Sequence, residues 1–355
     1  MRKATVVIIF ALSFILAAPM LAAAKEPEDY VSEYSALIPS GIPINANDSD
    51  GLTESVSFSA ILGFALQELY GSRSEIISFF LLLFGTVAIS ALGVSIFENI
   101  SDGVKRGIAV VSSAAIFSSL LPVLLSVYRS LDGANDFFSS AASVICAVNL
   151  ASGGSASASV GLVGTTLTTA FIATVASKIL PYLGVLGLAS SLLGSFGGSV
   201  NIAEGAKKLY TRIFGALSLL ITITLSLQTV VASASDSAAM RAAKYGASTL
   251  IPSVGGVVSS ALSTLSGGLS YAKGIVGASA VGVILYIFIS PLLLLLIYRL
   301  GMSVAHTLSE LMGLRDSPAI APFLALLDAF ITSYVIACLM YVFEFILFMR
   351  GGVGV

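Results

Sequence analysis

Few side chains in this 355-residue chain could do chemistry, and two carboxylates near its C-terminus are the first candidates. Asp328 and Glu344 lie in one apolar stretch, where ionisable groups commonly mark proton or ion pathways. Sixteen positions apart on a helix, they point about 160° away from each other. The stretch 323–349 would also extend for about 40 Å as a helix, which exceeds the hydrocarbon core of a bilayer. We therefore expect both carboxylates near the helix ends, with Glu344 close to Arg350, and a proton relay is the less favoured alternative.

A serine–histidine pair is the other arrangement with catalytic potential. The Gly-Ala-Ser sequence at 246–248 and His306, the only histidine, loosely resemble the pair of an intramembrane serine protease. Thr249 stands where a glycine would follow that serine, and one histidine cannot form a multi-histidine metal site. Cys146 and Cys338 lie in apolar runs, which is typical of small packing residues. The residues therefore predict a protein that is not an enzyme and has no metal or cofactor site.

The elements that must position these residues are long and apolar. Only 10% of the residues are charged, against about 25% in soluble proteins. An apolar run of about twenty residues, as a helix, is as long as the hydrocarbon core is thick, roughly 30 Å. Backbone groups that face lipid find no water, so they must form their hydrogen bonds within the helix. The sequence predicts an all-α, polytopic helical membrane protein with about seven or eight transmembrane or re-entrant helices. The apolar candidates are 76–97, 107–128, 137–152, 160–180, 182–199, 213–231, 274–298 and 320–349.

The N-terminus has the pattern of a secretory signal. Arg2 and Lys3 precede an apolar core at 6–18, and three alanines at 22–24 supply small residues for cleavage. Residues 1–24 are therefore predicted to be a signal peptide, with an uncleaved signal anchor as the alternative.

An acidic segment, 25–75, separates this signal from the apolar region. It carries nine acids against two bases, together with several prolines and glycines, which is typical of an exposed, irregular segment. We expect it on the extracytoplasmic side, with a short helix at 56–70 on the membrane surface. Residues 76–350 then form the multi-pass helical domain. Its bases divide almost evenly between the two sides, so the side of the C-terminus stays open.

The segment 253–270 predicts an amphipathic helix with an uncharged polar face. Val, Leu and Ala occupy an arc of about 140°, while Ser, Thr and Gly occupy the opposite arc. An interfacial helix would carry Lys and Arg on that face. A small hydroxyl face favours tight helix packing, with pore lining and a plain surface helix as alternatives. The candidate packing or pore-lining residues are Ser253, Gly256, Ser259, Ser260, Ser263 and Ser266, with Gly153 and Gly154 in a second small-residue run.

The same region carries a family resemblance. Lys244-Tyr245, then Ile-Pro-Ser-Val-Gly-Gly at 251–256 and the serine-rich helix, resemble the stage III sporulation protein AE family. The Ala-Ser-Gly-Gly turn at 151–154 and the signal peptide before an acidic segment are similar in position. The resemblance extends over most of residues 76–349, and no motif in 25–75 matches.

This resemblance implies a non-enzymatic membrane subunit of the channel, or secretion-like complex, that connects mother cell and forespore during endospore formation. It implies a place in the mother-cell membrane around the forespore. The implied partners are other stage III sporulation membrane proteins with their ATPase, and stage II sporulation protein Q across the intermembrane space. No basic run indicates nucleic acid. The alternative is a stand-alone permease for a small solute, for which inverted repeats or convergent buried charges would be expected.

We expect the mature chain to begin at Lys25, because the basic start, short apolar core and triple alanine favour cleavage after Ala24. Intact-mass spectrometry of protein purified from its native membrane checks this. A measured mass that still includes Met1 would show that the segment is a retained anchor.

Overall fold

A computed structural model describes most of the chain and gives it as helix. The predicted signal peptide, Gly153 and Ser253 lie outside the described residues. Within the described part no β-strand occurs, so the all-α prediction is confirmed. The described residues are 27–45, 49–96, 102–151, 154–195, 202–250, 255–312 and 320–350.

These residues form ten α-helices, numbered here in chain order. A π-helical turn, Val175–Ile179, joins the helix Ser155–Thr174 to the helix Leu180–Ser195 without a break. Pro181 follows this turn; since proline has no amide hydrogen and crowds the preceding turn, a wider turn relieves it. The helices are α1 (Pro27–Ser35), α2 (Ser49–Ser55), α3 (Phe58–Gly71), α4 (Arg73–Ile96), α5 (Asp102–Ala151), α6 (Ser155–Thr174), α7 (Leu180–Ser195), α8 (Ile202–Leu250), α9 (Gly255–Leu311) and α10 (Ile320–Arg350).

The eight predicted apolar segments lie on six continuous helical stretches. Segments 107–128 and 137–152 both belong to α5, because the charged residues between them are exposed and do not interrupt the helix. Segments 160–180 and 182–199 share the stretch formed by α6, the π turn and α7. Among the described residues, six helices (α4, α5, α6, α8, α9 and α10) are long and apolar enough to cross a membrane, whereas α7 is shorter. The polytopic class is thus confirmed.

The central helix is α10, which packs against α5, α6, α7, α8 and α9. It is also the most deeply buried of the six candidate spans. Aromatic rings make the contacts on its α5 and α9 sides. The ring centroid of Phe138 lies 4.8 Å from that of Phe345 and 4.9 Å from that of Tyr341. The ring of Phe288 lies 4.5 Å from that of Tyr334. In lipid, close packing of this kind holds helices together where hydrophobic burial cannot.

Polar contacts give the directions of the neighbouring helices. Asp328 of α10 contacts Lys207 of α8 and Arg299 of α9. Further along α10, Ser333 contacts Tyr210 of α8, so α8 runs parallel to α10. The α9 residues that face the later part of α10 come earlier in the chain than Arg299, so α9 runs antiparallel to it.

A consequence of this register is that α8 and α9 project beyond α10. Each continues for roughly twenty residues, or about 30 Å, past the level of the last turn of α10. Only residues 251–254 join the two helices, so their ends must lie close together as a helical hairpin. The backbone of 255–270, within the predicted serine-faced helix, is helical and continues into the apolar segment 274–298. The orientation of its serines stays a prediction, because their side chains are outside what the structure describes.

The acidic segment is folded against the helical domain over much of its length. In α1, Tyr30 and Tyr34 lie one turn apart and are buried, whereas Glu28 and Asp29 are exposed. The helix packs on α5 and α9. Burial of these two tyrosines thus stabilises a helix in a segment whose composition predicts irregular structure.

Candidate functional site

A charge cluster joins α8, α9 and α10. One carboxylate oxygen of Asp328 lies 2.6 Å from the Nζ of Lys207, and the other lies 2.5 Å from the Nε of Arg299. Asp328 is 24% exposed. Glu204 lies one helical turn before these lysines on α8. Its Oε1 is 3.4 Å from the Nζ of Lys208, and its Oε2 is 4.0 Å from the Nζ of Lys207. Both oxygens of Asp328 are engaged by cations on other helices, so the geometry is that of an interhelical clamp.

Glu344 has a different environment, inside the bundle. Its side chain is 6% exposed and faces α6, where the Thr168 hydroxyl donates a hydrogen bond to Oε2 at 3.3 Å. The other carboxylate oxygen lies against Gly164, where a Cβ atom would collide with it. No described basic side chain lies within 4.0 Å of this carboxylate. Glu344 thus makes a buried contact between α10 and α6, six residues before the end of α10. The side chain of Arg350 lies outside what the structure describes, so the expected closeness of these two residues stays a prediction.

The two carboxylates do not meet. They lie sixteen residues apart on one helix, or about 24 Å along its axis. Asp328 contacts α8 and α9, whereas Glu344 contacts α6, in keeping with their different phases on α10. The structure thus brings each acid to its own partners and forms no direct relay between them.

A third acid, which sequence reasoning did not single out, caps α6. Gly154 is the N-cap residue of α6 and offers no side-chain acceptor to the first amides. Asp236 of α8, 5% exposed, accepts hydrogen bonds from the backbone amides of Ala156 at 3.0 Å and Ser157 at 2.8 Å. A carboxylate satisfies the unpaired amides of a helix N-terminus and interacts favourably with its dipole. Gly154, predicted as a packing residue, therefore lies at a junction between α6 and α8.

The serine–histidine pair is not formed. Ser248 lies on the projecting part of α8, and His306 lies near the opposite end of α9. The register of the helices places them about 70 Å apart along the bundle axis. The Nε2 of His306 instead lies 3.6 Å from a carboxylate oxygen of Glu310. These two residues cannot act as one catalytic unit in this arrangement.

The remaining candidates are partly described. Cys146 and Cys338 are both free thiols, and the Cys146 Sγ lies 3.6 Å from the carbonyl oxygen of Ala158. Among the residues that the structure describes, no three His, Cys, Asp or Glu side chains are grouped to hold a metal ion. The helical backbone of α9 carries five of the predicted packing or pore-lining residues, whose side chains are not described: Gly256, Ser259, Ser260, Ser263 and Ser266.

Long apolar helices joined by buried polar contacts define a polytopic helical membrane protein. Its family follows from comparison: the family model of stage III sporulation protein AE matches residues 46–351, and the chain belongs to that family. The resemblance seen in the sequence is thereby confirmed. The match begins before α2 and includes every helix from α2 to α10. Neither a curated protein nor a solved structure matches the chain.

Replacing Asp328 by Asn should loosen the bundle, because it leaves Lys207 and Arg299 facing each other without a negative charge. For a partly buried pair we expect a loss of about 1–3 kcal/mol in unfolding free energy. Thermal unfolding in detergent measures it.

The matched control is Glu310→Gln, which removes an acid from a more exposed position on α9 and should leave the transition unchanged. Adding Lys207→Met to Asp328→Asn should recover part of the loss, because one of the two uncompensated cations is then absent. An unchanged transition in Asp328→Asn would show that the cluster is not a clamp.

Proposed function

We propose that this protein is a non-enzymatic membrane subunit of the multiprotein channel, or secretion-like complex, that connects mother cell and forespore. Its family supports a role in stage III of sporulation. The observation that favours a subunit over an isolated protein is the distance between exposed apolar positions along one helix.

That distance is clearest on α5. Exposed large apolar side chains occur from Val111, which is 69% exposed, to Leu125, and again at Leu150, which is 43% exposed. The exposed charges of 129–136 lie between these two groups. Val111 and Leu150 are 39 residues apart, or about 58 Å on a helix, and a tilt of about 40° would still leave about 45 Å. The hydrocarbon core is only about 30 Å thick. The hydrocarbon core of one bilayer therefore cannot cover both positions, and an exposed apolar side chain outside it is suited to contact with another protein.

The projecting hairpin of α8 and α9 supports the same proposal. It extends about 30 Å past the level of α10, where it is available to other components of a complex. The uncharged small-residue face predicted for 253–270 suits close contact with a partner helix. Pore lining is the second role for this face.

The proposed location is the mother-cell membrane that surrounds the forespore. The proposed partners are the other stage III sporulation membrane proteins with their ATPase, and stage II sporulation protein Q across the intermembrane space. Family membership and the multi-pass helical domain support this assignment.

A stand-alone permease is the alternative function, and one observation favours it. Glu344 is buried in a candidate span and has no basic partner among the described residues. Buried ionisable groups of this kind occur in proton-coupled transporters. The distance between Val111 and Leu150 on α5 weighs against it, because the bilayer around a permease that functions alone covers only one of these two positions.

Photo-crosslinking tests the subunit proposal directly. A photoreactive amino acid at Val111 or at Leu150 should give a protein adduct from at least one of the two positions in sporulating cells, because lipid cannot cover both. Immunoblotting of the crosslinked products measures this. A probe at Ala141, which is fully buried on α5, serves as the control and should give no adduct with a partner. Absence of protein adducts from both exposed positions would favour the stand-alone permease.

The serine face gives a second test. Ser260→Leu and Ser263→Leu add bulk to a face predicted to be closely packed, at an expected cost of about 1–3 kcal/mol at that contact. Membrane insertion should stay normal, while recovery of partner proteins and spore yield should fall. Val258→Leu, on the apolar arc, adds one methylene and should have little effect. Normal spore yield and normal partner recovery in both serine variants would remove both the packing and the pore-lining roles.

Cysteine scanning then separates packing from pore lining. Single cysteines along 253–270 would be introduced into a chain that lacks Cys146 and Cys338 and labelled with a water-soluble thiol reagent. A pore-lining face should react at every turn, whereas a packed face should stay protected until the complex is dissociated.

A further inference from the structure

One stretch of α5 has an exposed face that is polar throughout. Between 129 and 143 the exposed positions hold charged residues, serines and one glycine. With 3.6 residues per turn, these positions fall within an arc of about 120° on one side of the helix. This face is called the polar stripe of α5, and its members are Arg129, Asp132, Gly133, Asp136, Ser139, Ser140 and Ser143.

Contacts on the inner side of α5 fix the direction of the stripe. The hydroxyls of Ser130 and of Tyr334 on α10 are hydrogen-bonded to each other. The Tyr341 hydroxyl, also on α10, donates a hydrogen bond to Oδ1 of Asn135. The ring of Phe138 lies against that of Tyr341. These contacts turn the inner side of α5 toward α10, so the polar stripe points away from the bundle.

The same contacts give the level of the stripe along the bundle. They place it beside about residues 334–348 of α10. Lys207 and Tyr210 contact α10 as well, and their pairing places about residues 213–227 of α8 at the same level.

At this level the α8 side of the bundle carries no charge. Residues 213–235 of α8 contain no charged side chain, and Leu220 and Ile223 are exposed. Residues 162–174 of α6, at the same level, are uncharged too. Both α5 and α8 pack on α6, α7, α9 and α10. The polar stripe and this apolar flank of α8 therefore lie on different sides of the bundle.

One level of the bundle thus meets two environments. The uncharged run 213–235 of α8 is about 34 Å long as a helix, enough to cross a hydrocarbon core. Charged side chains at the level of a span face the interior of a bundle or a water-filled cavity. The polar stripe does not face the interior, so its side of the bundle requires water.

The stripe is also acidic. Asp132 and Asp136 lie one helical turn apart, against the single base Arg129. The neighbouring helix α1, which packs on α5, exposes Glu28 and Asp29. Acidic side chains along a passage favour cations.

We propose that the polar stripe of α5 lines a water-filled passage that the assembled complex encloses, and that its acids favour cationic over anionic solutes. This inference rests on the proposed function, because the stripe lies on the outer surface of a single copy and other subunits must complete the enclosure.

Thiol reagents of two sizes test the enclosure. Ser139→Cys and Ser143→Cys, which change one atom at exposed positions, would be made in a chain that lacks Cys146 and Cys338. The complex would be purified through a partner protein in mild detergent, which leaves both membrane sides accessible. We expect a small water-soluble maleimide to label both cysteines in the intact complex. A maleimide carried on a long polyethylene glycol should label neither until the complex is dissociated, and the dissociated protein shows that this reagent is reactive.

Leu220→Cys, at the same level on α8, is the matched control for the apolar flank. It should react with neither reagent in the intact complex, because detergent covers that flank. Labelling of Leu220→Cys by the small reagent would show that both sides of this level face open water, and it would overturn the proposal.

Reagents of opposite charge test the acids. The ratio of the cationic to the anionic labelling rate at Ser139→Cys should fall on the order of tenfold when Asp132→Asn and Asp136→Asn are added, because the field of the acids no longer concentrates cations. An unchanged ratio overturns the assigned selectivity.

Recovery of partner proteins with the wild-type chain is measured first, since its absence contradicts the proposed function and this inference together. Once the complex is recovered, labelling of the stripe by the large reagent shows an open surface, and no labelling by the small reagent shows a surface covered by protein. Either result overturns the passage at α5 and leaves the proposed function standing.

Discussion

The helices of this protein lie in surroundings where a polar group must find its partner inside the molecule, and the arrangement of α10 depends on that constraint. Removing apolar surface from water gives little drive between helices in lipid, so contact geometry and polar pairing decide the packing. Three acids show three solutions. Asp328 is paired with two cations, Asp236 accepts two backbone amides, and Glu344 receives one hydroxyl hydrogen bond. Asp328 and Asp236 each have two partners on other helices. Glu344 has a single described hydrogen bond to offset the cost of burying its carboxyl group.

Close approach between helices is the second requirement, and glycines on the candidate spans and on α7 provide it. Gly164 leaves room for the carboxyl of Glu344, and Gly187 lies where a Cβ atom would be 3.2 Å from a side-chain carbon of Leu326. Gly282 receives the junction between α2 and α3 in the same way. Small residues in membrane helices allow such contacts. The close contacts that the structure describes are thus at glycines outside the set that the sequence analysis named.

These contacts bear on the choice between a subunit and a permease. A bundle whose central helix contacts five others, and whose exposed apolar positions on α5 lie farther apart than the thickness of one bilayer core, is suited to assembly with other membrane proteins. The buried carboxyl of Glu344 is the feature that a transport mechanism would use, and it lies away from the charge cluster at Asp328. The membrane character and the sporulation family of the chain are common to both functions.

The helical membrane class could be predicted from the residues, because an apolar run of about twenty residues forms its hydrogen bonds within itself. The family could be recognised for a similar reason, since its motif at 244–256 is local. The ends of the helices were harder to predict from the sequence. The charged residues between 128 and 137 do not end α5, because an exposed charge does not break a helix. The partners of Asp328 lie 29 and 121 residues away, and those of Asp236 lie 79 and 80 residues away. Such pairs depend on the register between whole helices, which is decided by the packing of every side chain along them, and only the tertiary structure determines it.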